Sequence, residues 1–230
     1  MSNPHISEQY DAELDAVRNL LMEMGGLVEQ QLHDAAKALI DQDEELAGRV
    51  RENDARVNQL EIDIDERCIH IIARRQPAAR DLRTLISVMK ASTDIERIGD
   101  EARRVAKMAQ GVADMEYPAD QYDDFRRLAA LAEEIVTHSL DAFARLDPDA
   151  AVKVIESDEE IDQSYHAIVR ERGSNMRQDT AGIDRAMNVI WAARALERIG
   201  DHAKNISEYV VYLVKGKDVR HSEKPRSDAR

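Results

Sequence analysis

The sequence has a single cysteine, Cys68, so no intramolecular disulfide can form and no paired-cysteine zinc site can be built. Nine glycines and five prolines in 230 residues supply too few turns for an all-β chain. Aromatic residues reach only 4%, which leaves the core to Leu, Ile, Val, Ala and Met. No uninterrupted apolar stretch approaches the ~18 residues that span a bilayer. The N-terminal MSNPHISEQYDAELD lacks the apolar region of a secretion signal. Positive charge is also short: 32 Lys and Arg against 46 Asp and Glu give a net charge of -14. That balance argues against duplex binding, which draws its affinity from Lys and Arg on phosphates. It suits cations or basic protein surfaces instead. Together these absences predict a protein of the reducing cytoplasm that binds no nucleic acid.

What is present is helical periodicity. Leu14, Val17, Leu21, Met24, Val28, Leu32, Ala35 and Leu39 recur at steps of three and four, the stripe of an amphipathic helix over about 10–40. Val50, Val57, Leu60, Ile64, Cys68 and Ile71 continue it over about 44–75, and Val88, Ala91, Ile95, Ile98, Ala102, Val105 and Ala109 over about 78–110. Cys68 falls in phase with these apolar positions and reads as a small core hydrophobe. Pro77, the DMEYPAD segment at 114–120, the Asp147-Pro148 pair, Gly173 and the Asp179-Thr180-Ala181-Gly182 stretch punctuate the chain into about six helices.

The second half restates the first. Ile40-Asp41-Gln42-Asp43 echoes Leu146-Asp147-Pro148-Asp149, and Glu52-Asn53-Asp54 echoes Glu156-Ser157-Asp158. The stripe Val189, Ala192, Leu196, Ile199, Ala203, Ile206, Val210 repeats the third one. The predicted fold is all-α, two tandem three-helix bundles at 1–117 and 118–216, with a polar tail at 217–230 expected to fray.

Both copies carry Glu-Arg-Ile-Gly-Asp, at 96–100 and 197–201. With Ile95 as zero and about 100° per residue, Glu96 lies near +100° and Asp100 near +140°, away from the stripe and one turn apart. Glu197 and Asp201 repeat that geometry, so two outward, exposed Glu-x-x-x-Asp pairs are predicted. Carboxylates at i and i+4 repel by a few tenths of a kcal/mol. An oxygen-seeking cation removes the repulsion, and a merely solvated face has no need to duplicate both acids and the glycine. Asp54 and Asp158 are candidate auxiliary ligands, ahead of Glu61 and Asp65; a charged rim is the competing reading. His33, His70 and His138 are expected in ordinary hydrogen bonds. No histidine has Glu three residues before it, as a di-iron bundle would require. Arg74, Arg75, Arg80 and Arg83 cluster around Pro77 and read as a solvated turn or an anion patch.

These residues resemble the PhoU family. The resemblance runs from His5-Ile6-Ser7 through Ala73-Arg74-Arg75-Gln76-Pro77, Asp81-Leu82-Arg83 and both pentapeptides to Tyr209-Val210-Val211-Tyr212-Leu213-Val214-Lys215-Gly216. It implies a cytoplasmic, often homodimeric protein without enzymatic activity. Such a protein is a negative regulator of the phosphate-starvation response, linking the ATPase subunit of the phosphate ABC transporter to a phosphate-sensing histidine kinase. It further implies metal at Glu96 with Asp100 and at Glu197 with Asp201, with iron, zinc, manganese or magnesium as the candidate cations. The second motif continues in the family's manner with His202, Lys204 and Asn205, whereas the first has Glu101, Arg103 and Arg104. A metal-dependent hydrolase and a metal-independent scaffold are the competing classes.

Overall fold

A computed structural model describes residues 4–110, 122–178 and 182–216. They form six helices: α1 (Pro4–Asp41), α2 (Glu44–Arg75), α3 (Ala79–Gln110), α4 (Asp123–Arg145), α5 (Pro148–Gln178) and α6 (Ile183–Lys215). Side-chain caps set the starts of α2 and α5. The Asp43 carboxylate accepts from the Leu46 N–H at 2.9 Å. The Asp147 carboxylate accepts from the N–H groups of Asp149 and Ala150, both at 3.0 Å. Those two bonds hold the Asp147 carboxyl below its ordinary range. Before each cap the chain turns through the left-handed region, at Gln42 (φ 56°) and Leu146 (φ 51°). Gln76 (φ 48°) ends α2 the same way, and Pro77 then blocks continuation.

These matched turns fix the register between the halves. Gln42 answers Leu146, Asp43 answers Asp147 and Asp54 answers Asp158, a constant offset of 104 residues. The sequence pairing of Ile40-Asp41-Gln42-Asp43 with Leu146-Asp147-Pro148-Asp149 is therefore two residues out of step, because it matched acid to acid rather than turn to turn. Gly173 does not break the chain: α5 runs through it, since one helical glycine costs only about 1 kcal/mol. The DMEYPAD segment, the division between 117 and 118, residues 179–181 and the 217–230 tail lie outside the described residues.

The predicted stripes of α2, α3 and α6 are all buried, and on α1 only Leu14 is partly covered. Helices α1, α2 and α3 pack on one another, as do α4, α5 and α6. The two trios join along α3 with α6 and along α1 with α4, so one apolar core runs through both. Cys68 sits inside it, and burial pushes its thiol up to about 12, leaving an inert small hydrophobe. Among the described residues, no helix is long and apolar enough to cross a membrane.

Candidate metal centre

Helix α3 is covered on three sides, and this places its acids. The apolar stripe faces α1, one flank faces α2 and the other faces α6. Glu96 and Asp100 lie on the α2 flank, and their side chains are only 16% and 20% exposed. The predicted exposure is corrected: the wheel of a lone helix assigns every off-stripe position to solvent, but in a bundle a neighbouring helix covers the flank.

In this first crevice Asp54 of α2 is 7% exposed. Its carboxylate accepts from Gln31 Nε2 at 3.2 Å and is ion-paired with Arg103, whose Nε lies 3.1 Å away. Arg103 reaches on to Asp100 with Nη2 at 2.6 Å, so one guanidinium joins two carboxylates. Arg97 stands 3.6 Å from Glu96 and 3.9 Å from Asp100. Burial, then the charges of Asp100 and Glu61, push the Glu96 carboxyl up. Gln31 also donates to the Gly99 carbonyl at 3.2 Å.

The second crevice, between α5 and α6, repeats the acids with different partners. Asp158 is 4% exposed and is held by Lys204 Nζ at 2.6 Å. Position 135, the counterpart of Gln31 in the capping register, is an isoleucine that can donate nothing to it. Glu197 is buried; one carboxylate oxygen takes Arg194, while Oε2 is buried without a hydrogen-bond partner. Of the four acids in the two motifs, Asp201 alone is exposed. Burial, opposed by Arg194 and reinforced by Asp201, Asp162 and Asp158, pushes Glu197 up. Enclosure by surrounding protein, then Asp158 and Asp162, does the same to Asp201. Burial works against the Lys204 charge, but Asp158, Asp201 and Glu208 outweigh it and hold the ammonium above its usual range.

The opposite flank of α3 joins the repeats. Asp94 accepts from Asn205 at 3.1 Å and Tyr209 at 2.8 Å, and its Oδ1 lies 2.8 Å from His202 Nδ1. Glu101, 3% exposed, pairs with Arg104 at 2.7 Å and with Arg198 of α6 at 2.9 Å. His202 and Asn205 are thus committed to the interface rather than to the Glu197–Asp201 crevice.

A family model described as the PhoU domain matches residues 21–109 and 125–210. The chain belongs to the PhoU family. This places it among the accessory and regulatory proteins of phosphate homeostasis. It is 50% identical over 217 residues to the phosphate-specific transport system accessory protein PhoU homolog of Pseudomonas aeruginosa, covering 94% of this chain and 90% of that one. It is 42% identical over 223 residues to the PhoU accessory protein of Escherichia coli, covering 95% and 90%. The crystal structure of PhoU from P. aeruginosa superposes with a TM-score of 0.88 at 48% identity, over 90% of this chain and all of that one. The phosphate transport system regulatory protein PhoU from Streptococcus pneumoniae gives 0.84 at 28% identity, over 91% and 99%. Both describe the same architecture of two three-helix bundles.

The PhoU motif positions test differently for a cation. As the side chains stand, no three His, Cys, Asp or Glu among the described residues are gathered so that they could hold an ion. The donor chemistry is nonetheless that of a hard cation, with carboxylate oxygens converging from two helices. The orphaned Oε2 of Glu197 is a buried acceptor awaiting a positive partner.

Beyond the motif, Asp162 adds to the electrostatics of the second cluster and Glu61 to those of the first. Asp65 does not join: it lies beside Cys68, where burial pushes its carboxyl up. The sequence reading missed Asp94 and Glu101; their signal was the break in the repeat, Asp94 against Ala195 and Glu101 against His202. The three helical histidines meet Glu133, Arg74 and Glu134, as expected of ordinary polar contacts. Of the arginine cluster, Arg75 is held by Glu13 through two bonds of 3.0 and 2.7 Å. Arg80 and Arg83 line a cavity of about 800 Å³ together with Asp11, Asp15 and Asp81. A second cavity of about 400 Å³ lies between α4 and α5 beside His138 and Lys153. Neither includes an acid of the two motifs.

Proposed function

We propose that this chain restrains the phosphate-starvation response when phosphate is plentiful. In this reading it couples the ATPase subunit of the phosphate ABC transporter to a phosphate-sensing histidine kinase. It works as a homodimer in the cytoplasm and reaches the membrane only through those partners. The Glu-x-x-x-Asp motif takes metal, with Glu197, Asp201 and Asp158 the residues that hold it in the second repeat. A bound cation there neutralises a crowded anionic surface and changes which partner state that surface favours; regulation requires such differential affinity. The observation that carries the metal part is the buried, unpartnered Oε2 of Glu197 within a group of four carboxylates.

The hydrolase alternative needs a recessed pocket at the acids, and the two larger cavities lie away from them. Deleting the gene should raise phosphate-regulon output in phosphate-rich medium, and the wild-type chain should restore repression. A Glu197→Gln/Asp201→Asn double variant of equal abundance should restore it poorly. Unchanged output on deletion overturns the regulatory assignment. Full restoration by the double variant overturns the role of metal and favours the scaffold.

A further inference from the structure

The two acid crevices are alike in charge and unlike in how that charge is met. Each gathers four carboxylates: Glu96, Asp100, Asp54 and Glu61 in the first, Glu197, Asp201, Asp158 and Asp162 in the second. Each also has two cations within reach, Arg97 and Arg103 or Arg194 and Lys204. Position 103 corresponds to 204 in the pentapeptide register, so the same place in the fold carries a guanidinium in one repeat and an ammonium in the other.

That exchange is not conservative. The Arg103 fork spans the crevice, 3.1 Å from Asp54 on α2 and 2.6 Å from Asp100 on α3. A planar guanidinium is suited to joining two carboxylates and stays charged at any physiological pH. Gln31 adds a second hold on Asp54. Lys204 is a point charge that meets Asp158 alone, at 2.6 Å, on a stem of four flexible carbons. Asp201 makes no hydrogen bond or ion pair with any described residue, and Oε2 of Glu197 is buried and unmet. An incoming cation in the first crevice would have to break two bonds and stand beside a fixed positive charge. In the second it finds Asp201 and Oε2 of Glu197 free, and neither Arg194 on Glu197 nor Lys204 on Asp158 bridges two acids.

We propose that Arg103 is the resident cation of the first crevice, so that a metal ion loads only on the second, one per chain. The inference rests on the reading that the motif acids take metal, and it names which repeat does so. Arg103 here substitutes for the ion that its neighbours would otherwise recruit. The first crevice then keeps its guanidinium bridge permanently and the second is the variable one.

The test is Mn²⁺ loading of the full-length chain, with stoichiometry from elemental analysis after gel filtration and affinity from calorimetry. Wild type should hold one Mn²⁺ per chain. Glu197→Gln/Asp201→Asn should hold none, and Glu96→Gln/Asp100→Asn should still hold one with unchanged affinity. Arg103→Gln should open the first crevice and raise the count to two. Lys204→Arg should weaken binding at the second by roughly tenfold or more. These swaps keep side-chain size close to wild type, and circular dichroism confirms that each variant folds. Two Mn²⁺ per wild-type chain, or loss of the ion in Glu96→Gln/Asp100→Asn, overturns the inference and leaves the metal reading standing. No Mn²⁺ on wild type or on Arg103→Gln overturns both.

Discussion

The first and second repeats have the same helices, the same caps and the same pentapeptide, yet they treat its acids in opposite ways. In the first repeat the crevice is closed by the protein's own polar groups: Arg103 bridges Asp54 and Asp100, and Gln31 secures Asp54 from behind. In the second, isoleucine replaces Gln31, lysine replaces Arg103, and a buried oxygen of Glu197 is left without a partner. Duplication preserved the scaffold, because the apolar stripes must fill one shared core. The flanks carry no such constraint and diverged. One copy became a guanidinium-bridged strut, and the other kept carboxylate oxygens open to a cation.

The interface between the copies tests this most severely. Asp94 receives three α6 side chains, whereas its counterpart in the second repeat is Ala195. Asp94→Ala should therefore cost about 2–4 kcal/mol in denaturant unfolding, since it strands several donors at a nearly buried joint. A loss below about 0.5 kcal/mol would mean that apolar packing alone aligns the repeats.

The two motif glycines sharpen the comparison at the next level. A Cβ at Gly99 would meet nothing nearer than 3.5 Å, whereas one at Gly200 would stand 3.0 Å from Ile161 Cδ1 and 3.3 Å from Asp158 Oδ1. Gly99→Ala should stabilise the chain by up to about 1 kcal/mol through helix propensity. Gly200→Ala should fall about 1–2 kcal/mol below it, because Ile161 must give way and Asp158 is crowded. Equal effects on thermal unfolding would remove the argument that α6 lies closer to α5 than α3 does to α2.

Smaller again is Gln31→Ile, which makes the first crevice resemble the second. It should lose about 1 kcal/mol, because Asp54 and the Gly99 carbonyl each give up a donor. The smallest expected effect is a pH slope. Glu96, Glu197 and Asp201 all have folded-state carboxyls raised above their ordinary range, two of the three in the second repeat. A raised acid binds protons more tightly when folded, so stability of the metal-free chain should rise as pH falls from 7 toward the ordinary carboxylate range. Glu197→Gln/Asp201→Asn should flatten that rise more than Glu96→Gln does. Equal flattening would contradict the placement of two of the three raised carboxyls in the second repeat.

The core was almost fully legible in the sequence. Each stripe residue from Val50 to Ile71 and from Val88 to Ala109 is buried, because a period near 3.6 on long helices leaves only one way to hide that many apolar groups. The pentapeptides were legible as a pair, and Asp54 and Asp158 were rightly placed beside them. What the sequence withheld is what covers each flank. On the wheel that set Glu96 near +100°, Asp94 and Glu101 fall at about -100° and -120°, just beyond the stripe's other edge. A single helix cannot say that this edge meets α6 and that α2 covers the side of Glu96 and Asp100, so neither the interface acids nor the cover over the crevice acids could be read. The sequence did contain one clue: Glu101, Arg103 and Arg104 break the repeat at His202, Lys204 and Asn205. Five of those six residues meet a helix of the other repeat or of their own crevice, and Arg104 pairs with Glu101 on its own helix.

Anomalous diffraction at the manganese edge, on crystals of the full chain grown with Mn²⁺, tests the central claim most directly. One peak beside Glu197 and Asp201, with Arg103 still bridging Asp54 and Asp100, is the predicted result. Peaks of equal height in both crevices, with Arg103 displaced from the first, would contradict it.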